Sequence, residues 1–265
     1  MQRFRARKRL TALAVLALAA LAFAATAGAV KKVEKVELRL GDLLIVGKGG
    51  FKPETLPKDR FAPIEVYGGG KLSTVSGELP PILNEITFEF DKDGLVDTKG
   101  LPICTRGRLV ATDVPAARRA CGDAIVGKGF GTAVVALPEQ APIPASTGIT
   151  LFNGPKKGGN DTVFVHAHLD VPAPSTVLFQ VVIEKIHNGP YGYRAEANIP
   201  KLVNGFGHPI SGRLSINRKW TYKGKKHSYA NARCAKGRLQ AKGRFGFEDG
   251  TVLSGTFVRP CKVLK

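Results

Sequence analysis

The stretch Asn84-Glu85-Ile86-Thr87-Phe88-Glu89-Phe90-Asp91 indicates the fold class, because its polar and apolar residues alternate from Glu85 to Asp91. Side chains on a β-strand point to opposite faces in turn, so Ile86, Phe88 and Phe90 share one face and the intervening polar residues share the other. The Asp-Gly pair at residues 93 and 94 is typical of a tight turn. The pattern predicts a half-buried strand that ends in a hairpin.

The same alternation recurs toward the C-terminus, where odd-numbered residues of the segment 238–247 are mostly apolar and even-numbered ones mostly polar or basic. The composition includes 31 Gly and 17 Pro, which favours many short strands joined by turns. We therefore predict an all-β fold, a β-sandwich or jelly-roll-like unit, with one short helix near Cys121. Asp113 can cap that helix, Pro115 suits its first turn and Gly122 can end it.

The first 27 residues have the three regions of a secretory signal peptide. A basic start with five Lys and Arg residues precedes an apolar run that extends to about residue 24, and small residues around Ala27 suit signal peptidase. The run is shorter than the ~20 apolar residues that span a bilayer, so we predict cleavage rather than a membrane anchor. The mature protein would be secreted or extracytoplasmic, with no transmembrane segment after signal removal.

Residues 28–265 are predicted to form a single β-sandwich-type domain, because a chain of this length can bury a substantial core. The Pro-rich segment that begins at Pro138 is the one candidate linker. It leaves open the alternative of two β subdomains with a boundary near residues 138–148.

Four cysteines in an exported chain indicate disulfides rather than free thiols. Three pairings of Cys104, Cys121, Cys234 and Cys261 are possible, and the local pairs Cys104–Cys121 and Cys234–Cys261 are favoured. The alternation of side chains along the predicted strands places both Cys234 and Cys261 on the inward face, which supports their pairing. Zinc binding is the rival use of the cysteines, but the sequence lacks a Cys-x-x-Cys pair.

The excess positive charge is concentrated in the last quarter of the chain. Residues 201–265 carry 15 Lys and Arg against two acidic residues, whereas residues 28–200 carry 20 against 19. Strand alternation places these cations outward together, so we predict a basic sheet face that binds polyanions without sequence preference. Its ligands would be anionic cell-envelope polymers or anionic lipid headgroups, and not a specific nucleic acid; the alternative is a solvated surface without a partner. The predicted polyanion-binding residues are Arg213, Lys219, Arg233, Arg238, Lys242 and Arg244.

A His-x-His-x-Asp pattern at residues 166–170 is the strongest sign of metal chemistry. On a strand, His166 and His168 fall on one face, as a shared metal requires. The metallo-β-lactamase-like motif that this pattern resembles has a further His at the position of Val171, so the ligand set is incomplete here. Two packed or surface histidines remain the favoured interpretation.

Two other motifs are weaker still. The segment 122–129 approaches a phosphate-binding loop, but Gly129 stands where the magnesium-binding hydroxyl belongs. Glu89, Asp91 and Asp93 resemble the start of a calcium loop, but Gly100 occupies the position of the final bidentate Glu. We therefore predict no cofactor.

Five segments resemble a group of exported proteins from high-GC bacteria, and the similarity runs through most of the chain after the signal. These segments are Phe51–Pro57, Phe88–Gly94, Gly100–Cys104, Ala120–Gly127 and Phe152–Gly154. The resemblance implies export, one continuous β unit and a non-catalytic role, and it supplies no catalytic residues. The predicted function is that of an exported, non-enzymatic, envelope-associated or secreted binding protein; the alternative is a secreted metal-dependent hydrolase that uses His166 and His168.

Overall fold

Strands dominate residues 35–264, the part of the chain that this computed structural model describes. The all-β prediction is confirmed, and the single α-helix of the described residues, α1 (Val114–Cys121), lies where the short helix was predicted. The predicted signal peptide, residues 1–27, falls outside the described residues. The strands are β1 (Val36–Leu40), β2 (Leu43–Lys52), β3 (Thr55–Leu56), β4 (Ala62–Pro63), β5 (Glu65–Thr74), β6 (Leu83–Asp91), β7 (Gly94–Val96), β8 (Ile125–Val135), β9 (Ile143–Lys157), β10 (Asn160–Leu169), β11 (Ser175–Asn188), β12 (Tyr191–Asn198), β13 (Gly207–Ile216), β14 (Lys219–Tyr222), β15 (Lys225–Ser228), β16 (Ala230–Ala232), β17 (Arg238–Phe247), β18 (Val252–Pro260) and β19 (Lys262–Val263).

Twelve of these strands form one antiparallel sheet, in the order β1-β2-β5-β13-β8-β9-β10-β11-β12-β6-β17-β18. The two edge strands approach each other, with Leu38 of β1 packed against Gly255 of β18, so the sheet is nearly closed into a barrel. Three small sheets accompany it: β14 with β15, β16 between β4 and β7, and a parallel pair of β19 and β3.

The inward face of the large sheet carries most of the hydrophobic core. One cluster joins β2, β5, β6, β17 and β18 through residues such as Leu72 and Phe247. A second joins β9 and β10 to the loop at Leu101 and to Tyr229. A third surrounds the Cys234–Cys261 disulfide. Successive side chains on a strand point to opposite faces of the sheet, so the residues between these apolar positions face outward.

Helix α1 packs on the outward face of β9 and β10. The Asp113 side chain accepts a hydrogen bond from the Ala116 backbone at 2.6 Å, as expected of an N-cap, and Pro115 lies in the first turn. Ala117 and Cys121 face the sheet and pack against Phe152 in a buried cluster. The helix therefore covers one part of the outer surface and leaves the outer faces of β2, β5 and β13 open.

The Pro-rich segment at 138–148 covers the connection between β8 and β9 and the first residues of β9. These two strands pair along ten residue pairs, from Ile125 with Phe152 to Val135 with Ile143. The described residues group into one unit by their contacts.

Candidate functional site

Both predicted disulfides form, Cys104–Cys121 and Cys234–Cys261, and the described residues include no free cysteine. The first ties the loop before α1 to the end of the helix, and the second ties the segment after β16 to the end of β18. Two structural disulfides are typical of a protein that folds in an oxidising, extracytoplasmic compartment.

The three predicted basic residues of β17 do face outward, but acidic residues of the neighbouring strand lie beside two of them and form an ion pair with one. Arg238 is exposed. Arg244 forms an ion pair with Glu85 of β6. Lys242 lies opposite Glu89, whose carboxylate also binds Arg194 of β12 at 2.9 Å. Glu89 is only 8% exposed, so this outer surface carries a compact mixture of both charges rather than a positive field.

The other three predicted residues do not join that surface, which corrects the expected C-terminal basic face. Arg213 lies on β13, which pairs with β5 and β8, so six strands separate it from β17 along the sheet. Lys219 belongs to the separate β14–β15 hairpin. Arg233 binds the buried carboxylate of Asp93 at 2.7 Å. The prediction assumed that consecutive strands pair in order, and the observed sheet does not follow chain order.

The structure instead brings Arg213 together with basic residues from early in the chain. In the register of the sheet, Lys48 of β2 and Arg213 of β13 both lie opposite Gly69 of β5, one on each side. Two strand spacings separate them, about 10 Å. We call the exposed cations on the outward faces of these strands the four-strand basic surface; they are Lys48 and Lys52 of β2, Lys71 of β5, Lys128 of β8 and Arg213 of β13.

These five cations are spread over four successive rows of the sheet, about 20 Å along the strands. Glu65 is the acidic residue that shares their outward face on β5, and its carboxylate accepts a hydrogen bond from Ser215 at 2.5 Å. No ion pair within residues 35–264 involves any of the five. Arg118 of α1 extends the surface beyond β8, since its Nε donates to Thr150, the residue opposite Lys128.

A close approach of two backbones marks the centre of this surface. A Cβ atom at Gly69 would lie 2.9 Å from the Cα of Arg213, so β5 and β13 can come this near only where position 69 is glycine. Because position 69 carries no side chain, the outward layer of side chains is interrupted between Lys48 on one side and Arg213 on the other. Lys71 lies two residues along β5 from this interruption.

Two aromatic rings lie among the cations. The Lys52 ammonium is 5.5 Å from the centroid of the Tyr67 ring, and the Arg213 guanidinium is 5.3 Å from that of Phe130. Phe130 is 37% exposed, which is high for a phenyl ring. The surface therefore offers apolar rings beside positive charges, a combination that can stack against sugar or base rings while it binds their anionic groups.

His166 and His168 share a face, as predicted, but the contacts of His166 are those of a structural residue. His166 is fully buried, and its Nε2 lies 3.0 Å from the carbonyl oxygen of Thr112. Burial lowers the pKa of this imidazole, so it is neutral, with the proton on Nε2 and a bare Nδ1 that has no partner among the described residues. His168 hydrogen-bonds Thr176 at 3.4 Å.

Nothing near these histidines completes a metal site. Within residues 35–264, no group of three His, Cys, Asp or Glu side chains is close enough to hold a metal ion. The prediction that His166 and His168 hold no metal stays a prediction, to be tested by elemental analysis. The metal-dependent hydrolase gains no support from their surroundings.

The carboxylates of the calcium-like segment point to different partners. Asp91 accepts hydrogen bonds from the backbones of Asp93 and Gln240, and burial raises its pKa. Asp93 binds Arg233, and Glu89 binds Arg194. They stabilise the β6–β7 turn and its neighbours rather than converge on one point.

One cluster of polar and aromatic side chains was not predicted from the sequence. Asp97 Oδ2 lies 2.7 Å from His227 Nδ1, and the His227 ring stacks on Trp220 with a centroid distance of 5.5 Å. An aspartate that orients a histidine is the arrangement of a general base. However, no hydroxyl or thiol of the described residues hydrogen-bonds His227, so the pair lacks a nucleophile to activate.

Comparisons with protein-family models, with curated proteins and with solved structures give no match. Within the described part of the chain, no helix is long and apolar enough to cross a membrane. Among the described residues of this all-β, disulfide-bonded chain, the four-strand basic surface is the most distinctive feature.

Proposed function

We propose that this protein is an exported, non-enzymatic binding protein whose four-strand basic surface binds a flexible anionic polymer of the cell envelope. The observation that carries the proposal is the set of five exposed cations that have no ion pair among the described residues. The signal-like N-terminus and the resemblance to exported proteins support secretion, and the two disulfides agree with it.

Unpaired cations favour binding here because they keep their full positive potential. On β17, Arg244 already interacts with Glu85, so an incoming phosphate or carboxylate would compete with an internal partner. Lys48, Lys71 and Arg213 have no such internal partner among the described residues. Binding would release the counterions of the polymer and would weaken as the salt concentration rises.

The missing side chain at Gly69 favours a chain-like ligand over a flat one. A linear polymer can lie over Gly69 and contact Lys48 on one side and Arg213 on the other, whereas a lipid bilayer meets mainly the tips of the long side chains. The exposed Phe130 ring adds a stacking surface beside Arg213 for a sugar unit of such a polymer. Anionic lipid headgroups share the same charge chemistry and are the second ligand for the test.

The test compares two triple variants that remove the same number of charges. Lys48→Gln/Lys71→Gln/Arg213→Gln alters the four-strand basic surface, and Arg238→Gln/Lys242→Gln/Arg244→Gln alters the surface expected from sequence. The mature protein is titrated with heparin as a model polymer, and with vesicles of phosphatidylglycerol, over a series of salt concentrations. Each lost phosphate-type contact lowers the slope of log K against log salt by about 0.7–0.9.

We expect the first variant to lose a slope of about 2–3 on heparin and the second to lose less than 1. Stronger binding to heparin than to vesicles supports a polymer ligand, and the reverse order would assign the surface to lipid headgroups. Equal heparin binding by the wild type and the first variant would contradict the proposal. Matching circular dichroism spectra and unfolding midpoints of the two variants would exclude misfolding as the cause of a loss.

A further inference from the structure

A row of polar side chains crosses four strands next to the four-strand basic surface. Ser211 of β13 lies between Lys71 of β5 and Thr132 of β8. Ser146 of β9 lies opposite Thr132. The Thr132 and Ser211 hydroxyl oxygens are 2.7 Å apart, so both stand on one face of the sheet. Since Arg213 is two residues from Ser211 on the same strand, that face is the outward one. We call Ser211, Thr132 and Ser146 the hydroxyl row.

An open cavity adjoins one side of the hydroxyl row. Its volume is about 460 Å³, which is within the range of sites that hold a small organic group. Thr132 and Ser146 supply two hydroxyl groups to it, and Val134, Pro144 and Ile210 supply apolar surface. Val134 and Pro144 are each two residues from the hydroxyl row along their strands, so they share its outward face. None of the lining residues is charged, so the cavity suits a neutral group that has both apolar surface and hydroxyls.

An exposed aromatic ring lies on the other side of the hydroxyl row. Phe130 is two residues before Thr132 on β8, and the Arg213 guanidinium covers one side of its ring at 5.3 Å from the centroid. On β9, the residue opposite Phe130 is Gly148, and a Cβ atom there would meet no described atom within 4 Å. The side of the ring that faces β9 is therefore open to a stacking partner.

We propose that the hydroxyl row, the cavity and the Phe130 ring form a sugar subsite, which binds pyranose units of an anionic polysaccharide. This inference rests on the proposed function and names the class of its polymer. A pyranose unit has an apolar face of C–H groups that stacks on the Phe130 ring. Its hydroxyl groups exchange hydrogen bonds with the hydroxyl row, since Ser and Thr both donate and accept. The cavity beyond the row takes the next unit of the polysaccharide.

The charges around the sugar subsite favour a polymer of uronic acids. Lys71 ends the row on β5 and Arg213 stands beside Phe130, and neither has an ion pair among the described residues. The β9 side of the subsite, residues 143–149, carries no charged side chain. A polymer of charged groups alone would contact the cations and leave the hydroxyl row and the cavity unused. A polyuronate supplies a carboxylate for the cations and a hydroxylated ring for the subsite.

The experiment compares two carboxylate polymers, polygalacturonate and poly-L-glutamate, as ligands of the full mature protein. Each polymer carries a carboxylate on every unit, but only polygalacturonate has pyranose rings and hydroxyl groups. Binding is measured by isothermal titration calorimetry at low salt and at equal concentrations of carboxylate. Two variants alter the sugar subsite without removing a cation: Phe130→Ala and Thr132→Val/Ser146→Ala/Ser211→Ala.

Phe61→Ala is the matched control for Phe130→Ala. The Phe61 ring is 39% exposed, and the Arg233 guanidinium lies 5.1 Å from its centroid, so this pair has the same geometry as Phe130 with Arg213. Arg233, however, already binds the carboxylate of Asp93, and Phe61 directly precedes β4, which belongs to a small sheet. The control therefore measures the loss of an exposed phenyl ring outside the sugar subsite. Thermal unfolding of every variant shows whether it is folded.

We expect the wild type to bind polygalacturonate about tenfold more tightly than poly-L-glutamate, because only the sugar polymer contacts the subsite. Both subsite variants should lose about five- to tenfold in affinity for polygalacturonate and less than about twofold for poly-L-glutamate. Phe61→Ala should bind both polymers like the wild type.

Equal binding of the two polymers by the wild type, or subsite variants that bind polygalacturonate like the wild type, would overturn the inference. The proposed function would still stand in that case if Lys48→Gln/Lys71→Gln/Arg213→Gln weakens heparin binding. If that triple variant binds heparin like the wild type, the proposed function itself fails, so the two failures are distinguishable. Two independent subsite variants keep the test valid should one of them fold poorly.

Discussion

The hydroxyl group of Tyr229 is buried without a hydrogen bond, and its removal should stabilise the protein. Tyr229 is 2% exposed, and its hydroxyl oxygen has no partner among the described residues. The ring packs with Leu101 and Val163 in the inward-facing core. Burial raises the pKa of this phenol, and the nearby carboxylate of Asp161 adds to the effect, so the group stays neutral well above its ordinary range.

The magnitude follows from the cost of an unsatisfied polar group. Leaving a buried hydroxyl unpaired costs about 1–3 kcal/mol relative to its hydrated state, and Tyr229→Phe removes that cost while the ring keeps its contacts. The lost oxygen atom leaves a small void that offsets part of the gain. We expect the free energy of unfolding to rise by about 1 kcal/mol.

The assay is urea unfolding of the mature protein at neutral pH, with Tyr191→Phe as the control. Tyr191 is only half-buried at the start of β12, and its variant should change stability by less than about 0.5 kcal/mol. A loss of 1 kcal/mol or more in Tyr229→Phe would refute the reasoning, because it would mean that the hydroxyl makes a favourable bond in the folded state.

The raised pKa gives a second measurement with a definite sign. The unfolded chain ionises this phenol near pH 10, whereas the folded chain holds it neutral, so its contribution to stability is present below pH 10 and is lost as the pH rises above it. The slope for one such group is up to about 1.36 kcal/mol per pH unit. Tyr229→Phe should therefore lose less stability than the wild type on the alkaline side.

Two further predictions concern His166 and Gly69. The pKa of His166 is lowered by burial, so its contribution to stability is present above about pH 6.5 and is lost as the pH falls. His166→Gln should lose less unfolding free energy between pH 7 and pH 5 than the wild type, and an identical acid dependence would show that His166 does not titrate in that range. Gly69→Ala should cost about 1–3 kcal/mol, because its Cβ atom would lie 2.9 Å from the Cα of Arg213. The adjacent Gly70→Ala, whose Cβ atom meets nothing closer than 3.4 Å, is the control, and equal melting temperatures of the two variants would contradict the close approach.

Local features of this chain could be predicted from the sequence, because their causes act over a few residues. Alternation with a period of two places Phe88 on one side of its strand and Glu89 on the other in any β fold, and Asp113 caps its helix through a contact three residues away. Both disulfides could be predicted because each joins segments close in sequence. The same alternation correctly placed Arg238, Lys242 and Arg244 outward.

Which strands become neighbours was decided only by the tertiary structure. One partner of β17 is β6, which lies about 150 residues earlier and places the acidic Glu85 and Glu89 beside the predicted basic residues, where Glu85 pairs with Arg244. Arg213 instead lies near Lys48 on the outward face. The two residues belong to β13 and β2, which pair with opposite sides of β5 at Gly69. Strand alternation specifies the face on which a side chain lies but not the strand beside it. That choice depends on how the inward faces of all twelve strands pack together, so the charge of a surface built from distant strands could not be derived from any one of them.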